Sequence, residues 1–379
     1  MSPSPAAAST AVIPPEVRCA RDYETLAARR LPDATMAYIA GGAARGATAA
    51  ENLAAFDDWR VLPRVLRDVR DGHTRRTVVG QDFEHPILLA PVAHQRLVHP
   101  EGELATARAA QATQSGMVCS TLSSVRLEDI ADRAGPRRWF QLYFQPSRPA
   151  TLDLVRRAEA AGYGALVVTL DAAIQVASHD ALQAGFRLPA DCVAANLVGN
   201  GAASADVPVD APGPGDSRIF RNVMRAAPTA ADLDWLLAQT RLPVFIKGVL
   251  HPADARELQQ HGVAGLVVSN HGGRGLDGAP ASLRMLPAIR KAVGPAVPLL
   301  FDGGIRSGAD VFKALALGAD AVLIGRLPVY ALAVASALGV AHLVKLLREE
   351  LEICMALTGC ATLDDIGRDV LLDARAPTC

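Results

Sequence analysis

Eight times along this chain a short apolar run ends in a polar or glycine-containing turn, and an Ala/Leu-rich amphipathic stretch follows. The runs are Ile87–Ala90, Met117–Cys119, Trp139–Leu142, Ala165–Val168, Val244–Ile246, Gly265–Val268, Leu299–Phe301 and Ala321–Ile324. The stretches of helical character are Gly102–Gln114, Leu127–Ala134, Thr151–Ala161, Ala230–Gln239, Pro252–His261, Ser282–Val293, Ala309–Leu317 and Ala333–Leu357, the last with a break expected near Gly339. Strand alternating with helix eight times predicts parallel strands closed into a (β/α)8 TIM barrel. Runs that are apolar throughout suit strands covered on both faces. Such barrels extend from about 250 to beyond 400 residues with insertions. A chain of 379 residues, half of them hydrophobic, can therefore be one decorated barrel.

Two regions fall outside the repeat. Residues 21–80 precede the first barrel strand and hold a short helix (Tyr23–Arg30), another around Ala34–Ile39, and a small hairpin near Val69–Val79. They read as an N-terminal helical extension. Residues 188–228 follow strand four and carry the Pro/Gly/Ala/Asp mixture AASADVPVDAPGPGD. A loop that long in a compact domain is usually functional, and a lid is the expectation. The domain division is thus a flexible tail over 1–20 and a single barrel domain over 21–379.

The net charge of −1 offers no basic field for nucleic acid. Six cysteines are scattered without a CxxC pair, so free thiols are expected and no metal site. The N-terminus lacks a basic n-region and a long apolar h-region, and no stretch approaches 18 uninterrupted apolar residues. No membrane partner is expected, and a cytoplasmic location.

In barrels of this kind chemistry sits at the C-terminal ends of the strands. The chain places Pro91-Val92-Ala93, Ser120-Thr121, Gln141 with Tyr143, Thr169 with Asp171, Lys247, Ser269-Asn270-His271, Asp302-Gly303-Gly304 and Gly325-Arg326 there. A lone polar residue after an apolar run is an ordinary solvated strand end. Eight ends converging on one face point to a site. Asp302-Gly-Gly-Ile305-Arg306 leads into a helix, so its backbone N–H groups and Arg306 can hold a phosphate, with Gly325-Arg326 one unit later. The plain alternative is two ordinary glycine-rich turns. His271 and Arg274 stand three residues apart in SNHGGR. An imidazole there can act as a base near neutral pH, and the guanidinium can hold a carboxylate or an oxyanion. Lys247 could form a Schiff base or stabilise negative charge beside a cofactor ring. The remaining histidines apart from His179 read as surface or packing residues. HExxH, GxSxG and GxxxxGK[ST] are missing, which removes the commoner zinc, acyl-transfer and NTPase readings.

The segments LAPVAHQRLVHPEGE (89–103), TLSSV (121–125), FQLY (140–143), KGV (247–249), VVSNHGGRGLDG (267–278), DGGIRSGADVFKALALGAD (302–320) and IGR (324–326) resemble the FMN-dependent 2-hydroxy acid oxidases and dehydrogenases, the group of glycolate, lactate and mandelate oxidases. The resemblance runs from about Tyr23 to Gly367. It implies an FMN flavoprotein acting on a small molecule, with O2 or another electron acceptor, often as a homotetramer or other homo-oligomer. By the resemblance, the backbone of Pro91, Val92 and Ala93 and the side chains of Thr121, Gln141, Thr169 and Lys247 surround the isoalloxazine. Ser269 lies near the ribityl chain, and Asp302, Gly303, Gly304, Ile305, Arg306, Gly325 and Arg326 hold ribityl and phosphate. His271 resembles the base that takes a substrate proton as a hydride or its equivalent passes to the flavin. Tyr38 and Tyr143 match the two tyrosines of the substrate site, and Arg274 the second of two arginines on the substrate carboxylate.

One departure stands out. After strand four the family pattern has a proline and then Gly-x-Arg-Arg or Gly-x-Arg. This chain has Ala177-Ser178 where the arginines fall, with the Thr169-to-Phe186 spacing kept. A charged hydrogen bond contributes roughly 1.5–3 kcal/mol, so losing the first arginine weakens a plain 2-hydroxy acid about ten- to a hundredfold or more. The expectation is retained flavin chemistry at a carbon bearing OH or NH2 with altered specificity, Ser178 giving one weak hydrogen bond and His179 or Asp180 facing the site, and the substrate a hydroxy acid derivative, an amine or amino acid, or a larger molecule. The alternatives are an ordinary 2-hydroxy acid oxidase using Arg274 alone, or a catalytically silent flavin-binding protein.

Overall fold

The structure is a computed structural model describing residues 12–198, 217–221 and 223–375. The extension supplies three short strands: β1 (Trp59–Val61), β2 (Arg76–Val78) and β3 (Gln81–Phe83). The barrel strands are β4 (Ile87–Leu89), β5 (Gly116–Ser120), β6 (Arg138–Leu142), β7 (Leu166–Thr169), β8 (Val244–Val249), β9 (Gly265–Val268), β10 (Leu299–Asp302) and β11 (Ala321–Ile324). They pair in parallel in that order, and β11 closes on β4 with Val322 opposite Ile87. A last strand, β12 (Leu371–Asp373), pairs antiparallel with β1. The TIM barrel is therefore present, with each expected apolar run on a strand.

The reason those runs are apolar throughout is visible in β4. Leu88 packs inside the barrel while Ile87 and Leu89 face the surrounding helices. Inside, Trp139 stacks on Phe245 at 4.8 Å, and Phe83 meets Trp139 edge-on at 6.0 Å. Phe83 and Val78 come from the β2–β3 hairpin, so the hairpin plugs the N-terminal end of the barrel. Gln81 completes the plug, accepting from Trp139 Nε1 at 3.0 Å and donating to the Gly164 carbonyl at 2.9 Å.

Several boundaries differ from expectation. The hairpin lies at 76–83 because its turn, Val79-Gly80, has both residues at positive φ (44° and 74°), and a β-branched valine gives no turn signal. The last helix starts at Arg326, directly after β11, and runs to Thr358. It breaks at Ala335–Ser336, where Ser336 has φ 54°. Gly339 serves that break at a distance: a Cβ there would lie 2.3 Å from the Ala331 carbonyl. This 33-residue helix is long and apolar enough to cross a membrane, but 67% of its most apolar stretch is buried within the fold. Its apolarity is explained by packing against the helices Asp22–Ala28, Glu103–Thr113 and Gly308–Ala316.

Of the expected tail, Ile13, Val17 and Ala20 pack on the core, and residues 1–11 lie outside the described residues. Residues 199–216 and 222 of the expected lid also lie outside them. The start of that loop is fastened down. Asn196, fully buried, donates to the Ser120 and Thr121 carbonyls and accepts from Leu127 N. A helix at Ala47–Ala54, not foreseen, packs over the turns after β9 and β10.

Candidate active site

A cavity opens at the C-terminal ends of the strands. Its walls contain all the residues assigned by resemblance to cofactor and substrate except Thr121 and Ser269. Those two stand directly behind the wall, and their bonds explain the difference. Thr121 Oγ1 donates to the Gln141 carbonyl at 2.6 Å and accepts from Tyr143 N at 3.2 Å. Ser269 Oγ accepts from Lys247 Nζ at 2.9 Å and from His271 N at 3.0 Å. Both are support for lining residues. Ser120, the neighbour of Thr121, lines the cavity instead, as do His94 and Gln175. His94, read from sequence as surface or packing, is buried with φ 55°, and burial lowers its pKa.

Lys247 is buried within β8, two residues before its end and 3.2 Å from Asp302. Burial alone would lower its pKa, but Asp302 and Asp171 outweigh it and hold the ammonium above its ordinary value. Burial likewise acts to raise Asp171, and Lys247 and His271 overturn that, so its carboxylate is held below the usual range. Asp171 Oδ1 lies 2.9 Å from His271 Nδ1. The carboxylate orients the ring with Nδ1–H toward it, which leaves Nε2 as a proton acceptor. His271 itself is held at φ 59°, the left-handed region. Gly248, at φ 105°, makes room for this arrangement, since a Cβ there would sit 2.5 Å from the Asp171 side chain.

The two arginines of the upper rim are anchored by backbone carbonyls. Arg274 donates to the Tyr38 and Gly41 carbonyls, and its guanidinium lies 4.9 Å over the Tyr38 ring. Tyr38 is stacked on its other side by Phe186 at 4.2 Å. Arg326 donates to the Ile39, Gly272 and Gly41 carbonyls, and burial lowers its pKa to about 10. The segment Tyr38–Gly41 is thereby clamped over the SNHGGR turn.

At the glycine turn after β10, the first amides of the next helix are already capped. Arg306 N donates to Asp310, Gly308 N to Glu350, and Asp310 N to Ser307. Gly304, at φ 85°, is required by close approach of Asn52, whose carbonyl would lie 2.1 Å from a Cβ. The helix that begins at Arg326 is different. It has no side-chain cap, and Gly325, Arg326 and Leu327 line the cavity. An uncapped helix N-terminus beside Arg306 and Arg326 can hold a phosphate.

Whether these residues fit a flavin mononucleotide is tested by their unsatisfied atoms. Gln141 accepts at Oε1 from Ser120 Oγ and Thr121 N, which leaves Nε2 enclosed without a partner. Thr169 Oγ1 and Asp302 Oδ1 are likewise enclosed and unpartnered in the same wall. Each such group costs about 1–3 kcal/mol unless a ligand satisfies it. A planar heterocycle with carbonyl and imide groups suits Gln141 and Thr169, a polyol suits Asp302, and a phosphate suits the helix start at Arg326. The residues fit FMN.

Of the segment 172–186, only Gln175 lines the cavity. Ser178 caps a short helix, His179–Gln183, by accepting from Ala181 N at 3.4 Å. Its backbone bridges Ala44, with Ala44 N donating to the Ala177 carbonyl and His179 N to the Ala44 carbonyl. Its Oγ packs against Gly41, where an added Cβ would lie 2.5 Å from it. The expectation that Ser178, His179 or Asp180 faces the site is corrected, since none of the three lines the cavity: Ser178 caps the short helix, and His179 and Asp180 form its first turn. The partner that sequence reasoning left unassigned is Asp171. It was noticed at a strand end, but its pairing with His271 spans 100 residues of sequence.

The barrel and this cavity define a flavin-binding oxidoreductase of the (β/α)8 type. Residues 27–373 match the family model of the FMN-dependent dehydrogenases. An L-lactate oxidase of Alicycliphilus denitrificans is 65% identical over 368 residues, covering 97% of this chain and 98% of that protein. The crystal structure of mandelate oxidase with (S)-2-phenylpropionate superposes with a TM-score of 0.83 at 41% identity, covering 93% of this chain and 97% of that one. An arginine-to-leucine variant of mandelate oxidase with 2-hydroxy-phenylacetamide gives a TM-score of 0.84 at 41% identity, over the same shares of the two chains. This chain belongs to the FMN-dependent dehydrogenase family and is an FMN-dependent oxidoreductase.

Proposed function

We propose that this protein oxidises the 2-hydroxyl carbon of a small 2-hydroxy acid, holds the acid end with Arg274 as its only arginine, and accepts neutral derivatives of that acid as well. The observation that carries the reading is the site rim: His271, Tyr38, Tyr143 and Arg274 converge there, while Ser178 is turned into a cap. The 65% identity to an L-lactate oxidase favours a substrate of lactate size.

Bound FMN supplies the two-electron acceptor, with O2 or another compound as the final one. The chain supplies the rest. Nε2 of His271 takes the substrate proton, and Asp171 holds the ring and stabilises the imidazolium that forms. Arg274 grips the carboxylate, fixed by the Tyr38 and Gly41 carbonyls and by the Tyr38 ring beneath it. Tyr38 and Tyr143 line the path of the substrate hydroxyl. Lys247, a buried cation, stabilises negative charge on the cofactor ring. The mandelate oxidase variant that lacks an arginine and carries an uncharged 2-hydroxy amide supports acceptance of neutral derivatives. A second reading, an acid-only lactate oxidase, is favoured by that same 65% identity to a lactate oxidase.

The test is anaerobic bleaching of the bound flavin by lactate, lactamide and methyl lactate. Bleaching by all three within about a hundredfold in rate supports the proposal. Bleaching by lactate alone establishes the acid-only enzyme, and failure of all three overturns both.

A further inference from the structure

The loss of the first arginine leaves open what meets the far side of the substrate's acid group. Four observations on the segment 171–180 point to one side chain of it. Ala177 and Ser178 are spent on the bridge to Ala44 and on the helix cap. His179 and Asp180 begin that helix and do not line the cavity. The backbone of Asp171 runs beside the turn that carries Arg274, since a Cβ on Gly275 would lie 3.3 Å from the Asp171 carbonyl. Four residues on, Gln175 lines the cavity with Tyr38, Tyr143, His271 and Arg274.

We infer that Gln175 is a specificity-determining residue that reads the C1 end of the substrate opposite Arg274, which extends the functional reading above and rests on it. A primary amide carries two N–H donors and a carbonyl acceptor. Its N–H groups donate to a carboxylate oxygen or to the carbonyl of a carboxamide or ester. Its carbonyl accepts from a carboxamide N–H, which a guanidinium in its place cannot do. A site with one arginine and one glutamine therefore discriminates between 2-hydroxy acids and 2-hydroxy amides far less than a site with two arginines. The effect falls on binding more than on the chemical step, because Gln175 meets C1 and not the carbon that is oxidised.

The experiment uses the FMN-loaded enzyme and two unreactive analogues, propionate and propionamide, which lack the hydroxyl. Their dissociation constants are read from the perturbation of the flavin absorbance, beside kcat/KM for lactate and lactamide. In Gln175→Glu the new charge repels a carboxylate but still accepts from an amide. Propionate binding is expected to weaken about tenfold or more, with propionamide within about threefold of wild type and the lactamide-to-lactate ratio of kcat/KM rising about tenfold. In Gln175→Leu both ligands weaken by about three- to tenfold, with KM changing more than kcat. If neither variant moves either dissociation constant by more than twofold, the inference is overturned. If wild-type flavin is bleached by lactate while the variants behave as wild type, only the assignment of Gln175 falls. If the wild type neither binds nor oxidises any of the four compounds, the functional reading falls with it.

Discussion

The two ends of the barrel are built from the same strands and spend their polar groups differently. At the N-terminal end, most side chains close on one another, although Arg76 Nε and Arg138 Nε are enclosed without a partner there too. Trp139, Gln81 and Gly164 form a chain, and buried His85 meets the Thr113 carbonyl, Ser115 and Ile87 N. At the C-terminal end, Gln141, Thr169 and Asp302 each keep an enclosed atom unpartnered, and His94 and His271 sit in left-handed backbone. Groups that satisfy one another stabilise the fold. Groups left facing a cavity cost stability and are available to a ligand. The plug end holds the barrel together, and the cavity end is where chemistry is affordable.

Four variants would break or sharpen this contrast. The largest effect is expected in Asp171→Asn, which removes the charge that orients His271. The rate of anaerobic flavin reduction should fall about 10²- to 10⁴-fold with little change in melting temperature. A drop of less than tenfold would mean the pair is structural, like those at the other end. Next comes Lys247→Met, which strips the cation from buried Asp302. Chemical denaturation should show a loss of about 3–5 kcal/mol, together with weaker FMN retention on gel filtration. At the plug, Phe83→Ala should cost a similar ~3–5 kcal/mol while kcat per bound flavin holds steady. A fall in kcat there would show that the two ends are coupled.

The smallest effect concerns pH. Burial depresses His85 to about 4, against about 6.5 in the unfolded chain. Between those values the unfolded state binds more protons, so stability rises with pH through this window. Acidifying from about 6.5 to 4 should remove about 3 kcal/mol through this group, and His85→Gln should flatten that part of the curve. Asp171 is held below its ordinary range and Lys247 above it, so both stay charged across the window. Burial also lowers His94 in the cavity wall, so both ends lose stability through this window, and the larger loss is expected at the plug through His85. Denaturation midpoints measured against flavin absorbance at pH 4.5 and 7 would decide it.

Strand positions were legible because a strand buried on both faces is apolar at every residue, and Leu88 between Ile87 and Leu89 shows why. The polar strand ends were legible because they interrupt those apolar runs, although Gln141, Thr169, Lys247 and Asp302 stay buried within the strands. Less legible was the start of the last helix. Arg326 looked like the end of a turn, yet the helix begins there and supplies the uncapped amides that suit a phosphate. The exchange of Thr121 for Ser120 in the cavity wall was not legible either. Adjacent residues at a strand end point to opposite sides, and the apolar pattern stops before it can say which side is which.

Sequence alone determined the eightfold repeat, and with it the barrel and the face on which polar residues gather. Tertiary structure decided the partners. It joined Asp171 to His271, committed Ser178 to a helix cap, tied Arg326 to three carbonyls, and left Gln175 on the rim. The physical reason is that hydrophobic burial follows a local period that a sequence displays. The direction of a loop side chain, by contrast, is set by hydrogen bonds to residues far along the chain, which carry no period at all.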